Sequence, residues 1–79
     1  MKIIALNLPR ELDKTQFKEL FANFGHVDSY SIVLDKQTGK SKGFGFIEMS
    51  EETKAIKAVE ELHGTKVLKN KIRVKCIKN

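Results

Sequence analysis

With 79 residues, the chain has room for one small hydrophobic core, so a single domain spanning residues 1–79 is expected. Apolar residues make up 41% and charged residues 32%, which excludes a disordered segment and a membrane-embedded bundle and fits a globular protein that folds on its own. The 15 Lys and Arg against 10 Asp and Glu leave a formal charge of +5, a balance that favours a polyanionic partner.

The run from Ile3 to Leu8, ended by Pro9, predicts a buried strand followed by a loop. Asp13 opens a helix, with Gln16 completing a capping box; Phe17, Leu20, Phe21 and Phe24 follow at helical spacing, and Gly25 is the expected stop. Val27 to Leu34 predicts a second strand, in which Tyr30, Ile32 and Leu34 alternate. The stretch from Asp35 to Ser41 is a polar turn. A short aromatic strand, about Lys42 to Met49, comes next. Ser50 is the expected cap of a second helix, which Gly64 ends and which buries Ala55, Ala58, Val59 and Leu62. A last strand, about Lys71 to Cys76, alternates basic residues with Ile72, Val74 and Cys76.

The order βαββαβ implies an α+β fold, the ferredoxin-like sandwich: a four-stranded antiparallel sheet with two helices on one face and the other face open. That architecture hosts many functions and does not choose among them. Charge placement says more. Lys66, Lys69, Lys71, Arg73, Lys75 and Lys78 come without an intervening acid, whereas Glu51, Glu52, Glu60 and Glu61 cluster upstream.

The lone cysteine, Cys76, excludes an internal disulfide and is expected to be a small core residue. Neither a metal site nor a cofactor is expected, because no ligand cluster is visible, and His26 and His63 stand apart from any such pattern as bystanders. The N-terminal apolar run is too brief for a signal peptide or a membrane span, so a cytoplasmic protein is expected, nuclear if the source is a eukaryote.

Strand alternation places Lys42, Phe44, Phe46 and Glu48 on one face of the third strand, opposite Gly43, Gly45, Ile47 and Met49. If the helices cover Ile47 and Met49, two phenylalanines stand on the open surface, an arrangement suited to stacking against planar groups such as nucleic-acid bases. The bland alternative is that both rings are core residues; sharing a face with Lys42 argues against it. By the same parity Lys2 is placed near Glu48, as a surface ion pair of little energetic weight.

The octamer Lys42-Gly43-Phe44-Gly45-Phe46-Ile47-Glu48-Met49 resembles the basic–Gly–aromatic–Gly–aromatic–aliphatic–any–aromatic motif of the RNA-recognition-motif (RRM) family, departing only at Met49. Ile3-Ile4-Ala5-Leu6-Asn7-Leu8 resembles the family's hexamer on the first strand. The likeness extends to Phe24-Gly25, the turn from Asp35 to Gly43, the Ala55, Ala58 and Leu62 pattern, and Ile72 and Val74.

The resemblance implies a non-catalytic, stand-alone domain that binds short single-stranded RNA on the open sheet face, with single-stranded DNA as a chemically similar ligand. Carried over to this chain, Phe44 and Phe46 would stack on bases and Lys42 would meet a phosphate. Lys71, Arg73 and Lys75 would follow the backbone, and Ile4, Leu6 and Asn7 would complete the surface. Gly43 and Gly45 are expected to let the helices approach the sheet. Ile4 stands where the family usually has an aromatic, so one fewer stack and a weaker footprint are expected. The rival reading is a protein-interaction or homodimerisation domain that uses the same face, with Ile4, Leu6, Val33, Phe44 and Phe46 as an apolar patch. The C-terminal lysines also have a plain alternative, as a charged edge that discourages aggregation.

Overall fold

The computed structural model describes residues 1–77, so Lys78 of the basic run lies outside the described residues. The elements are β1 (Lys2–Leu6), α1 (Lys14–Ala22), β2 (Ser29–Leu34), β3 (Ser41–Glu48), α2 (Glu52–Leu62), β4 (Lys66–Val67), β5 (Asn70–Lys71) and β6 (Arg73–Ile77). An antiparallel sheet in the order β2-β3-β1-β6 carries both helices on one face, as the βαββαβ order predicts; β4 and β5 form a separate hairpin. Among the described residues, no helix is long and apolar enough to cross a membrane.

The register explains which face is sealed. Ile3 lies opposite Ile47 and Cys76, and Ala5 opposite Gly45 and Val74. Ile3, Ala5, Ile47 and Val74 form one core with Phe17 and Phe21 of α1 and Ala55, Ala58 and Leu62 of α2. A Cβ built on Gly45 would lie 2.5 Å from the Ser31 carbonyl oxygen and 3.0 Å from Phe17 Cε2. Glycine at this position is what lets α1 seat the Phe17 ring against the sheet.

Gly43 has another reason. Its φ of 88° is left-handed, and the nearest atom to a Cβ there would be the Leu8 carbonyl oxygen at 3.5 Å. The β2–β3 register shifts between Ile32 and Leu34, so Gly43 absorbs a bulge and does not admit a helix.

α1 begins as its sequence predicts. Asp13 accepts from the Gln16 amide at 2.7 Å, and the Gln16 side chain accepts from the Asp13 amide at 3.0 Å. It ends earlier than expected, at Ala22, and Gly25 is not a left-handed stop. A Cβ on Gly25 would press on Lys54 Cδ at 2.8 Å, so this glycine lets α2 come close. The N-terminus of α2 also differs: Glu51, not Ser50, holds the cap position, and no side chain bonds the free amides. Glu51 instead pairs with Lys54 at 3.4 Å, and Glu52 places a negative charge in the first turn, where the helix dipole favours it.

The largest departure is before β6. The Gly64 amide donates to the Ile72 carbonyl at 2.8 Å, and the Ile72 amide to the Thr65 carbonyl at 2.9 Å. These bonds hold residues 64–72 as a hairpin, so the pairing with β1 starts at Arg73 and Lys71 faces Lys66 of β4. Val27 precedes β2 as a buried loop residue. Cys76 is exposed, not in the core; its thiol contacts Met1 Sδ at 3.3 Å. His63 is no bystander, because the Val74 amide donates to its Nδ1 at 3.0 Å from the unpaired edge of β6.

Candidate nucleic-acid interface

The face left open by the helices has cross-strand rows that follow from the register. One row is Ser31, Phe46, Ile4, Lys75. Beside it run Phe44, Leu6 and Arg73, and on the other side Ser29, Glu48, Lys2 and Ile77. Phe44, Phe46, Ile4 and Leu6 are partly buried. The rings of Phe44 and Phe46 meet edge to face, with centroids 6.2 Å apart and planes at 85°. An edge-to-face pair of this kind is a favoured aromatic arrangement, which fixes the two rings relative to each other.

Charge is distributed unevenly over this face. Arg73 and Lys75 are exposed on β6, and Lys42 is exposed at the start of β3, next to Phe44. The acid on the face, Glu48, is at the other end of β3, where it accepts from the Ser29 hydroxyl at 2.9 Å. Lys2 lies opposite Glu48 in register but makes no ion pair with it; its Nζ sits 5.0 Å above the centre of the Phe46 ring. The ring quadrupole attracts that ammonium, while Glu48 is already engaged.

Two residues predicted for the interface are placed differently from the rest. Lys71 belongs to the β4–β5 hairpin and lies off the main sheet. Asn7 sits in the left-handed region, with φ 60°, and its side-chain amide donates to the Lys71 carbonyl at 2.9 Å. Asn70 returns the tie, donating to the Asn7 carbonyl at 3.1 Å. The pair stitches the hairpin to the loop after β1.

The sequence reading overlooked Arg10. This residue follows Leu8-Pro9 in the loop after β1 and is exposed beside a cleft of about 570 Å3 whose walls include Phe44, Lys42, Asn70 and Arg73. It also borders a second cleft with Asp35 and Lys40 of the β2–β3 turn. The signal available was its position, directly past the end of the motif-bearing first strand. The Asp35 carboxyl is held below the ordinary aspartate range, first by the Thr38 amide and then by the Gln37 amide, with a smaller contribution from Arg10. Its Oδ1 accepts from these amides at 3.1 and 2.8 Å. No group of three His, Cys, Asp or Glu able to hold a metal ion occurs among the described residues.

One sealed face, one open face with paired rings and a basic border: the fold and the site together define a nucleic-acid-binding sheet of the ferredoxin-like class. The RNA recognition motif matches residues 5–73, and the chain belongs to that family, whose domains are non-catalytic modules that bind RNA on the sheet face. Over 68 residues it is 37% identical to the human cleavage stimulation factor subunit 2 tau variant, covering 86% of this chain and 11% of that protein. A 28 kDa chloroplastic ribonucleoprotein of Spinacia oleracea is 38% identical over 68 residues, 86% of this chain and 29% of the relative. The chain thus spans between about a tenth and under a third of the length of these relatives. Among solved structures, the crystal structure of RNA binding protein PG1 superposes with a TM-score of 0.94 at 34% identity, covering 100% of this chain and 96% of that one. The structure of the Rna15 RRM with bound RNA (GU) does so with a TM-score of 0.89 at 27% identity, covering 99% and 83%.

Proposed function

We propose that the domain binds short single-stranded RNA, with Phe44 and Phe46 each stacking on a base and Lys42, Arg73 and Lys75 meeting the phosphates. The observation that carries this reading is the pair of partly exposed rings on a central strand, 6.2 Å apart, on the face that the helices leave open. A relative of the same fold with RNA (GU) bound supports RNA as the ligand. Ile4 and Leu6, between β3 and the basic residues of β6, give the bases apolar contact without a π face.

The magnitudes set the expected strength. Two stacks at about 1–3 kcal/mol each supply roughly 2–6 kcal/mol, short of the approximately 8 kcal/mol of micromolar binding, so charge supplies the remainder. Micromolar or weaker affinity that falls steeply with salt is therefore expected. The test is titration of labelled, degenerate short RNA and DNA pools at low and moderate salt, with Phe44→Ala and Phe46→Ala beside the unchanged protein. Loss in both variants supports stacking, and unchanged affinity in both rejects it.

A second reading, self-association through the same face, rests on Ile4 and Leu6 lying side by side with the rings. Light scattering at high protein concentration checks it; a dimer of this kind should weaken on Ile4→Lys.

A further inference from the structure

We propose that Arg10, with Lys42 and Arg73, forms a third nucleotide subsite beyond Phe44, taking the phosphodiester of the next residue of the RNA. This rests on the reading of Phe44 and Phe46 as a base platform and adds a direction to it. Along β3 the face passes from Glu48, through Phe46 and Phe44, to Lys42. Across the sheet, Arg73 lies level with Leu6 and Phe44, while Ile77, which carries no charge, lies level with Lys2 near Glu48. Lys2 offsets Glu48 at one end, whereas the Lys42 end gathers cations without an acid in its row, so a polyanion laid over both rings is drawn toward the Lys42 end.

At that end the cleft of about 570 Å3 opens beside Phe44, and none of its lining residues is acidic. Arg10, Lys42 and Arg73 bring three cations to its border, and Asn70 adds an amide. The cleft is also built in advance of any ligand. Asn7 and Asn70 cross-tie the loop after β1 to the β4–β5 hairpin at 2.9 and 3.1 Å, and the Leu8 amide donates to the Gly43 carbonyl at 2.8 Å, which fixes the loop against β3. Holding the walls in place reduces the ordering cost of binding.

Acids stand near Arg10, with Asp35 in one neighbouring cleft and Glu11 and Asp13 in another, but none forms an ion pair with it; the Asp35 Oδ1 is turned to the Gln37 and Thr38 amides. The Arg10 guanidinium is left as a planar fork of donors, suited to phosphate oxygens.

The experiment compares degenerate labelled RNA pools of two lengths, two and six nucleotides, against the unchanged protein, Arg10→Gln, Arg10→Lys and, as a control, Lys57→Gln on exposed α2. Arg10→Gln should weaken hexanucleotide binding about fivefold and flatten the logarithmic salt dependence by about 0.7, the value for one phosphate contact on a single strand. Arg10→Lys should keep that salt slope. Dinucleotides, which end at the rings, should be indifferent to Arg10→Gln. Equal weakening of both lengths, or an equal effect from Lys57→Gln, would reduce Arg10 to diffuse charge and overturn the subsite. Unchanged hexanucleotide binding by Arg10→Gln, with Phe44→Ala defective, overturns the subsite and leaves the platform standing. If Phe44→Ala and Phe46→Ala both bind normally, the platform itself fails.

Discussion

The two faces of the β1–β3 pair are made by the same two strands and differ only in parity. On one side Ile3, Ala5, Gly45 and Ile47 are sealed beneath the helices; on the other Ile4, Leu6, Phe44 and Phe46 stand half open. The sealed side uses small and aliphatic residues because the Phe17 ring must come down onto Gly45. The open side carries rings that the helices leave uncovered, with only the Lys2 ammonium lying over Phe46. An aromatic residue is therefore sealed in the core or left on the open face according to its parity, not its type.

The sharpest way to break that comparison is to remove one ring from each side. Phe17→Ala, on the sealed side, should cost about 3–5 kcal/mol, because the buried ring leaves a cavity among close-packed neighbours. In a domain of this size that is a large share of the total stability, visible as a lower denaturant midpoint. Phe46→Ala should cost less, about 1–2 kcal/mol of stability, since part of its ring already meets water. Its effect belongs in RNA affinity, a loss of about 1–3 kcal/mol for one stack. Should Phe46→Ala melt the protein as Phe17→Ala does, the open face is not open.

The converse change adds to the open side. Ile4 lies between Phe46 and Lys75 in register, and a tyrosine there would offer a third π surface beside the existing pair. Ile4→Tyr should tighten binding to a degenerate RNA pool by about tenfold, with the denaturant midpoint nearly unchanged. No gain would mean that bases do not cross β1 on their way to β6.

Parity was legible in the sequence because it is a local property. The alternation in Lys42 to Met49 placed Phe44 and Phe46 together, and the capping box at Asp13 and Gln16 located the start of α1. What was not legible depends on contacts between distant segments. Lys71 left the sheet because Thr65 and Gly64 bond to Ile72, a pairing that strand alternation alone does not display. Cys76 has the parity of a core residue, yet it is exposed near the end of β6 beside Met1. Arg10 carries no motif, and its place beside Lys42 and Arg73 comes from how the loop after β1 packs against β3 and β6. Gly43 and Gly45 look alike in sequence, but one answers a bulge and the other a phenylalanine ring.

The edge of β6 tests whether support from outside the sheet can be separated from binding. His63, just past α2, takes the Val74 amide at 3.0 Å on the side of β6 that β1 does not reach. His63→Ala should cost about 1 kcal/mol of stability, the usual value for one hydrogen bond, and leave RNA affinity within error. Both are measured on one sample, by denaturant unfolding and by titration. A matching loss of affinity would mean that the edge of β6 shapes the open face.

The smallest effect expected concerns the β2–β3 turn, which leads into Lys42. The carboxyl of Asp35 is held below the ordinary aspartate range, mainly because the amides of Thr38 and Gln37 bond its charged form. A folded value lower than the unfolded one means that the charged form stabilises the turn above the ordinary aspartate range, and that this support disappears as pH falls through the folded value. The turn should therefore be indifferent to pH between 7 and 5, by about the ordinary margin for an aspartate, and loosen only in stronger acid. Because Asp35 lies in a surface turn and bonds only its neighbours, the effect is local and best followed in the NMR shifts and hydrogen exchange of the Gln37 and Thr38 amides. Asp35→Asn keeps an acceptor oxygen without the titration, so those amides should lose their pH response in the variant. A response that persists there would have to come from another acid, with Glu11 and Asp13 standing across the neighbouring cleft.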